Sequence, residues 1–181
     1  MDEARIPPAP RPYSPEIEET LAKLMGPGVE PLGLFRTLAQ NPRVLARFLA
    51  GGLLDKGSIS LRERELAILR TTARCGSEYE WGVHVAFFHA RAGLSIEEVR
   101  ATCARDASFP WGARDRALLE LCDALHERAD VDDATWRRVA AEFQSAQIVE
   151  LVVLAGFYHM VSFATNALRI ELEPGAPRFP A

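Results

Sequence analysis

Residues 75–84 read CGSEYEWGVH, and they follow a segment at residues 60–70 that reads SLRERELAILR. Each segment contains a serine followed three residues later by a glutamate, the capping-box pattern found at the start of a helix. Apolar positions in the first segment recur at intervals of three and four, as on one face of a helix. The sequence therefore predicts two helices that fold back on each other around a turn near Gly76.

A carboxylate and an imidazole lie one helical turn apart in the second segment, at Glu80 and His84. A rise of about 1.5 Å per residue places Glu65 roughly 15 Å back along the first helix and His84 roughly 12 Å along the second. Glu65 and His84 therefore lie at similar heights, although spacing does not establish that their side chains face one another. Two acids and a histidine at one place would make proton transfer possible.

Other interpretations of these residues remain open. Glu80 can close a capping box with the amide of Ser77 and do nothing more. His84 can be a core histidine whose partner is Glu80. Glu65, Glu80 and His84 can also bind a divalent metal, but no H-E-x-x-H spacing supports this, and we expect no metal.

The chain as a whole predicts an all-α protein of seven or eight helices, because no segment alternates with the period of a strand. Its 181 residues suit one domain. Five prolines predict an extended arm at residues 1–15, followed by a helical domain at 16–172 and a loose tail at 173–181. The first predicted helix, 16–25, ends at the turn signal Gly26-Pro27-Gly28. The other predicted helices are 42–54, 60 to the turn near 75, 77–93, 95–104, 113–128, 133–143 and 145–168. A less regular helical piece lies at 31–40.

Charge and composition argue against several classes of protein. The formal net charge is -4 and the basic residues are scattered, which is unlike a nucleic-acid-binding surface. Cys75, Cys103 and Cys122 form no C-x-x-C, so neither a disulfide framework nor a zinc ribbon is indicated. The N-terminus lacks a signal-peptide pattern, and the apolar stretch 151–165 is shorter than the roughly 20 residues that span a bilayer. We expect a cytoplasmic protein that binds neither nucleic acid nor membrane.

A polar seam runs along the last apolar helix, where His159, Ser162 and Asn166 recur at intervals of three and four. Polar groups on a buried helix need hydrogen-bond partners. These side chains can line the far wall of a pocket, bond across a subunit contact or be satisfied internally. The sequence does not choose among the three.

The stretch from Glu65 to His84, with E-L-A-I-L-R, C-G-S-E-Y-E-W-G-V-H and the later A-G-L-S-x-E-E, resembles the carboxymuconolactone decarboxylase-like family. The resemblance is best over residues 42–99, and GFYHM at 156–160 with NAL at 166–168 is similar to the family's final helix. It implies the alkylhydroperoxidase D-like helical fold.

Two branches of that family differ at the site. In the peroxidase branch a glutamate is followed by C-x-x-C and then by a histidine four residues after the second cysteine. Glu65 and His84 match the glutamate and the histidine, whereas Ser77 and Glu80 stand where the cysteines would be. Without two thiols a dithiol cannot reduce a peroxide. The chain resembles the decarboxylase branch more closely, which implies that no cofactor is used.

That resemblance implies a carboxy-lyase, or a related lyase or isomerase, acting on a small carboxylated lactone or enolisable carbonyl compound. Glu80 and His84 would handle protons, and Glu65 would orient or relay them. A homo-oligomer, trimer or hexamer, with sites near subunit contacts is also implied. The side chains expected to contact the small-molecule substrate are Ser77, Tyr79, Trp81, His159 and Arg70, the last as a clamp for a carboxylate with Arg74 as its alternative.

Two other functions stay open. A redox or hydroperoxide-defence protein of the same fold would depend on Cys75. A catalytically silent oligomeric binding protein would use Glu80 and His84 only as helix cap and core. Hydroperoxide turnover that requires Cys75 would distinguish the first of these from an acid/base enzyme.

Overall fold

The structure is a computed structural model that describes residues 4–26, 28–104 and 109–180. The first residues of the predicted arm, Pro27 of the predicted turn and the last residue of the tail lie outside the described residues. The described residues form nine helices: α1 (Pro15–Met25), α2 (Gly33–Leu38), α3 (Pro42–Ala50), α4 (Leu61–Arg74), α5 (Glu78–Phe88), α6 (Ile96–Ala101), α7 (Ala113–Arg128), α8 (Asp133–Glu142) and α9 (Ser145–Ala167).

The all-α prediction is confirmed, with one helix more than expected among the described residues. The additional helix is α2, which lies within the piece at 31–40 that the sequence pattern left uncertain. Helix α3 ends at Ala50, earlier than predicted, because two glycines follow and Leu53 has a left-handed φ of 47°. That early end leaves an irregular segment beside the site described below.

One of the predicted helix caps, at the start of α5, is absent. Ser60 forms the expected capping box at α4, and Ser95, followed three residues later by Glu98, forms another at α6. Ser77 does not, because its Oγ lies 2.8 Å from Oγ1 of Thr165 on α9 and α5 begins without a side-chain cap. The carboxylate of Glu80 is therefore not used as a helix cap.

Helix α4 forms the centre of the molecule. The four consecutive residues from Leu66 to Leu69 are all fully buried, so the helix is covered on every side. Its neighbours are α5, α7 and α9, which also pack on one another in part. Because α4 is enclosed, a polar residue on it lies in the protein interior and needs a partner there.

Helix α9 is long and apolar enough, by length and composition, to cross a membrane. Its buried residues Leu151, Leu154, Tyr158 and Val161 follow one face and belong to the protein core. This packing accounts for the apolar composition of that face as in the core helix of a globular domain.

The C-terminal segment is packed, contrary to the expectation of a loose tail. Glu173 accepts hydrogen bonds from the Tyr79 hydroxyl and the Gly33 amide, both at 2.5 Å. The Phe179 ring lies 5.3 Å from the Trp81 ring. The segment is ordered because it covers the outer face of α5, where two aromatic residues would otherwise be exposed.

Gly82 allows this close approach, and its replacement tests it. A Cβ at Gly82 would lie 2.4 Å from the carbonyl oxygen of Pro177, a backbone atom that cannot rotate away. We expect Gly82→Ala to lower the free energy of unfolding by about 1–3 kcal/mol and to make the C-terminal segment sensitive to proteases. Denaturant unfolding and limited proteolysis measure the two effects.

Gly112→Ala is the matched control, because no atom lies within 4 Å of a Cβ added at this glycine, which precedes α7. It should change the free energy of unfolding by less than about 1 kcal/mol. Equal stabilities of the two variants would contradict the described packing of the tail.

Candidate active site

His84 lies at the meeting point of α4, α5 and α9 and is 3% exposed. Its Nδ1 is 2.7 Å from Oε2 of Glu65 on α4. Its Nε2 is 3.0 Å from the hydroxyl of Tyr158 on α9 and 3.3 Å from Oε1 of Glu80 on its own helix. The imidazole is thus bonded at both nitrogens, by one carboxylate on one side and by a phenol and a second carboxylate on the other.

Glu65 is fully buried, and a cation balances its charge. The Arg64 Nε lies 2.9 Å from Glu65 Oε1, and Nη1 of the same guanidinium donates to the carbonyl of Leu54 at 2.6 Å. The Arg64 guanidinium also lies over the ring of Phe88, 5.4 Å from its centroid. These contacts fix the Glu65 carboxylate, which in turn orients the His84 ring.

The two carboxylates set the protonation state of His84. Burial alone lowers the pKa of the imidazole, but the hydrogen bonds and charges of Glu65 and Glu80 outweigh it and raise the pKa to about 9. At neutral pH the ring is therefore a cation with hydrogen on both nitrogens. Burial and the same two carboxylates raise the pKa of Tyr158 well above its usual value, so it remains a neutral phenol.

A cavity of about 700 Å³ opens in front of this group. Glu80, His84 and Tyr158 lie in its wall, and the rest of the lining is mainly apolar. Among the described lining residues, the other charged side chain is Asp55. The apolar part of the wall consists of Leu24, Met25, Leu32, Leu34, Phe35, Phe48, Leu49, Ala50, Gly52, Leu53, Leu54, Val83, Phe87, Phe88, Phe157 and Val161.

The raised pKa of His84 predicts that the free energy of unfolding depends on pH. Its folded pKa of about 9 lies above the ordinary 6.5, so its contribution is fully present below about pH 6.5 and is lost as the pH rises through 9. We expect the free energy of unfolding to fall by roughly 2–3 kcal/mol over this range. The His84→Gln variant should lack this part of the pH dependence in denaturant titrations.

NMR titration of the His84 ring, assigned with the same variant, gives an independent check. The midpoint should lie near 9. A midpoint at or below the ordinary 6.5 would contradict an imidazolium held between two carboxylates.

Comparison with known families agrees with this arrangement. Residues 40–124 match the model of the Carboxymuconolactone decarboxylase family, and this range includes Glu65, Glu80 and His84. The chain is similar to the carboxymuconolactone decarboxylase family over this range, which is 85 of its 181 residues. No curated protein matches the chain.

Solved structures share the alkylhydroperoxidase D-like fold across nearly the whole chain. An uncharacterized peroxidase-related protein from Silicibacter sp. TM1040 is 17% identical with a TM-score of 0.82, covering 99% of this chain and 100% of that chain. The alkylhydroperoxidase AhpD core protein from Ralstonia eutropha JMP134 is 17% identical with a TM-score of 0.81, covering 93% of each chain. The debrominase Bmp8, solved with 2,3,4-tribromopyrrole, is 15% identical with a TM-score of 0.74, covering 95% of this chain and 93% of that chain.

Arg70 does not line the cavity. Its guanidinium forms a two-pronged ion pair with Asp123 of α7, at 2.7 and 2.6 Å, and donates to the Thr102 carbonyl at 2.9 Å. Arg70 follows Glu65 by five residues on α4, so the two side chains point about 140° apart around the helix axis. Its alternative, Arg74, pairs with Glu127 on the same side. Neither arginine is placed to clamp a substrate carboxylate.

The aromatic neighbours of Glu80 also lie outside the cavity wall. The Tyr79 hydroxyl bonds Glu173, and the Trp81 Nε1 donates to Oγ1 of Thr102 at 3.1 Å. Adjacent helical residues differ by about 100° in direction, so neither can share the face of Glu80 and His84. The Ser77 hydroxyl is likewise directed at α9, as described above.

His159 belongs to a separate cluster. Its Nε2 lies 3.1 Å from Nδ1 of His126, which is 3.6 Å from Sγ of Cys75. It does not form the far wall of the cavity, because the preceding residue, Tyr158, occupies that face of α9. Burial, together with His159 and Arg74, lowers the pKa of His126.

Sequence reasoning did not select two of the residues at the site. Tyr158 is the only described hydroxyl-bearing aromatic in the cavity wall, on a stripe otherwise formed by Leu151, Leu154 and Val161. A lone hydroxyl on such an apolar stripe was the signal that could have identified it. For Arg64 no comparable signal exists, because an arginine near a helix start is common and is usually exposed, whereas the side chain of this one is only 11% exposed.

Proposed function

We propose that this protein is a cofactor-independent acid/base enzyme that moves a proton on a largely apolar, enolisable carbonyl compound. The observation that carries the proposal is the group of Glu80, His84 and Tyr158 at one wall of an apolar cavity. Glu65 and Arg64 lie behind the histidine and fix its ring. Such a set combines a base with two hydrogen-bond donors.

Each residue has a distinct part in the proposed reaction. The Glu80 carboxylate takes a proton from the carbon next to the substrate carbonyl. The electron pair of that C–H bond forms a carbon–carbon double bond, and the π pair of the carbonyl moves to its oxygen. The Tyr158 hydroxyl and the His84 Nε2 proton stabilise the resulting enolate. The protonated Glu80 either exchanges its proton with solvent and returns one to the same carbon, which gives exchange, or delivers it to a conjugated carbon, which gives isomerisation. Glu65 acts as a positioning residue.

The charges around the cavity favour an uncharged substrate. Asp55 and Glu80 line the wall, and among the described lining residues only His84 can offset them. A substrate carboxylate would therefore meet two like charges. This supports a ketone or lactone without a free carboxylate over the carboxylated lactone class.

A decarboxylase remains the second candidate, and the match of residues 40–124 to the carboxymuconolactone decarboxylase family model supports it. In that reaction the bond between the substrate and its carboxylate breaks and CO2 leaves. The electron pair stays on the substrate as a dienolate, which Tyr158 and His84 would stabilise before His84 delivers a proton to carbon. Release of CO2 from carboxylated lactones would distinguish this from simple proton exchange.

A thiol-based redox function is the third candidate, supported by the fold shared with peroxidase-related proteins. The three cysteines are free thiols, which is consistent with a reducing compartment such as the cytoplasm. None of the three lines the cavity, and burial raises the pKa of Cys75. Hydroperoxide consumption that is lost in Cys75→Ser would establish this function.

Deuterium exchange tests the proposal without knowledge of the physiological product. The protein, with no added cofactor, is incubated in D2O with a panel of uncharged apolar ketones and lactones and with carboxylated lactones. We expect deuterium next to the carbonyl in uncharged members of the panel. Absence of exchange together with CO2 release would favour the decarboxylase, and thiol-dependent peroxide turnover alone would reject acid/base chemistry.

We also propose that the protein forms a homo-oligomer through the exposed face of α9. Val149, Val153, Gly156, Met160 and Phe163 follow one another at intervals of four and three along that face. Val149 and Phe163 are each 64% exposed, which is unusual for large apolar residues repeated along one helix.

A valine-to-glutamate pair of variants tests this contact. Val153 is 53% exposed and lies on this face of α9. Val153→Glu should raise the dissociation constant of the homo-oligomer by about tenfold or more, because the contact would then bury the carboxylate. Val44→Glu is the control, since Val44 is 40% exposed on α3, away from that face. Light scattering across a dilution series measures both. A monomeric wild type, or equal assembly of the two variants, would reject the contact.

A further inference from the structure

Cys75, His126 and His159 form a cluster of donor atoms away from the cavity. The cysteine Sγ, the His126 Nδ1 and the His159 Nε2 all lie within 4.8 Å of one another. The three residues come from the end of α4, from α7 and from α9, which pack together. All three are half-buried, so the cluster is open to solvent on one side.

Hydrogen bonds hold the cluster in a form suited to a ligand. His159 Nδ1 lies 2.8 Å from the carbonyl oxygen of Ala155, and because a carbonyl only accepts, the proton is on Nδ1. The lone pair of a neutral His159 ring is then on Nε2, which faces His126. Metal-ligating histidines commonly donate their other ring N–H to a backbone carbonyl in this way. The side chain of Asn166 also donates to the carbonyl of Cys75 at 3.0 Å and ties that turn to α9.

Two of the three distances within the cluster agree with a shared tetrahedral ion, and the third pair of donor atoms lies within 4.8 Å. Zinc bonds of about 2.3 Å to sulfur and about 2.0–2.1 Å to nitrogen place ligand atoms roughly 3.6 Å apart for S···N and roughly 3.3 Å apart for N···N. The observed separations are 3.6 Å between Cys75 and His126 and 3.1 Å between His126 and His159. Two histidine nitrogens this close repel each other unless a proton or a cation lies between them.

We propose that Cys75, His126 and His159 bind a divalent ion of the zinc class, with water in the fourth position. One thiolate and two neutral imidazoles are the borderline-soft donors that such an ion prefers. Arg74, whose charge acts on His126, is itself paired with Asp123 and Glu127, so its repulsion of a cation is offset. The bound ion would tie the end of α4 to α7 and α9 and so stabilise their packing. This proposal does not depend on the reaction carried out in the cavity.

Cobalt and zinc binding to the metal-free full-length protein test the site. Titration with Co²⁺ should produce a thiolate-to-cobalt charge-transfer absorption that saturates at one equivalent, and Zn²⁺ should abolish it by displacement. Zn²⁺ should also raise the melting temperature. Cys75→Ser and His159→Ala should each weaken binding by about tenfold or more.

Two variants serve as matched controls. Cys103 is a half-buried free cysteine outside the cluster, and His89 is a half-buried histidine bonded to the carbonyl of Val85. Cys103→Ser and His89→Ala should bind zinc like the wild type. Absence of the charge-transfer absorption in the wild type would overturn the proposal without any variant. Equal losses in the control and cluster variants would overturn it as well.

Discussion

Glu80→Gln is expected to lower the rate of substrate proton exchange by about 10²- to 10⁴-fold, the usual contribution of a general base. Glu80 is the acidic residue of the site whose carboxylate reaches the cavity, whereas Glu65 is fully buried behind His84. The Glu80 carboxylate contacts His84 at 3.3 Å, an amide oxygen can keep this contact, and the start of α5 does not use the side chain as a cap. The change in the free energy of unfolding should therefore stay within about 1 kcal/mol.

A pair of tyrosine variants provides the matched control for this experiment. Tyr158→Phe removes the hydroxyl that lies 3.0 Å from His84, and it should lower exchange by at least about tenfold. Tyr79→Phe removes an equally buried hydroxyl that bonds Glu173 instead, and it should leave exchange unchanged. A Glu80→Gln protein that exchanges at the wild-type rate would reject Glu80 as the base.

Glu65→Leu is expected to lower the free energy of unfolding by about 3–5 kcal/mol, the cost of removing one partner of a buried ion pair. The substitution leaves the guanidinium of Arg64 and the ring of His84 without their carboxylate in the interior. Loss of that negative charge should also lower the pKa of His84. Denaturant unfolding measures the first effect, and NMR titration of the ring measures the second.

Glu120→Leu is the control for that loss, because Glu120 pairs with Arg138 at the surface of the protein. Such a pair contributes about 0–1 kcal/mol. Glu65→Gln separates charge from hydrogen bonding, since the amide oxygen can still accept from the ring. Equal stabilities of Glu65→Leu and Glu120→Leu would contradict the central position of Glu65.

The sequence predicted the helical class and the candidate proton-transfer residues, because both depend on short-range spacing. Capping boxes at Ser60 and Ser95 mark the true starts of two helices. The heights of Glu65 and His84 along antiparallel helices follow from the constant rise per residue. Their distance of 2.7 Å agrees with that estimate of height. Their catalytic roles stay a prediction.

The spacing of residues along the chain could not predict which side chains bond to each other across the core. Ser77 and Glu80 match a capping box, yet Ser77 instead bonds a threonine 88 residues later. Arg70 looked available for a substrate, yet Asp123 on α7 holds it. Each of these partners is distant in the chain, so no local pattern contains it.

By itself, the sequence determined most of the helices, their amphipathic faces and the placement of Glu65 and His84 at similar heights, with Glu80 one helical turn from the histidine. Only the tertiary structure decided which side chains face one another, because the rotation of each helix depends on all the helices packed against it. That packing placed Tyr158 and Arg64 beside the histidine and directed Tyr79, Trp81 and Arg70 elsewhere. It also enclosed His84 with two acids, and the pKa that follows from burial and charge exists only in the folded chain.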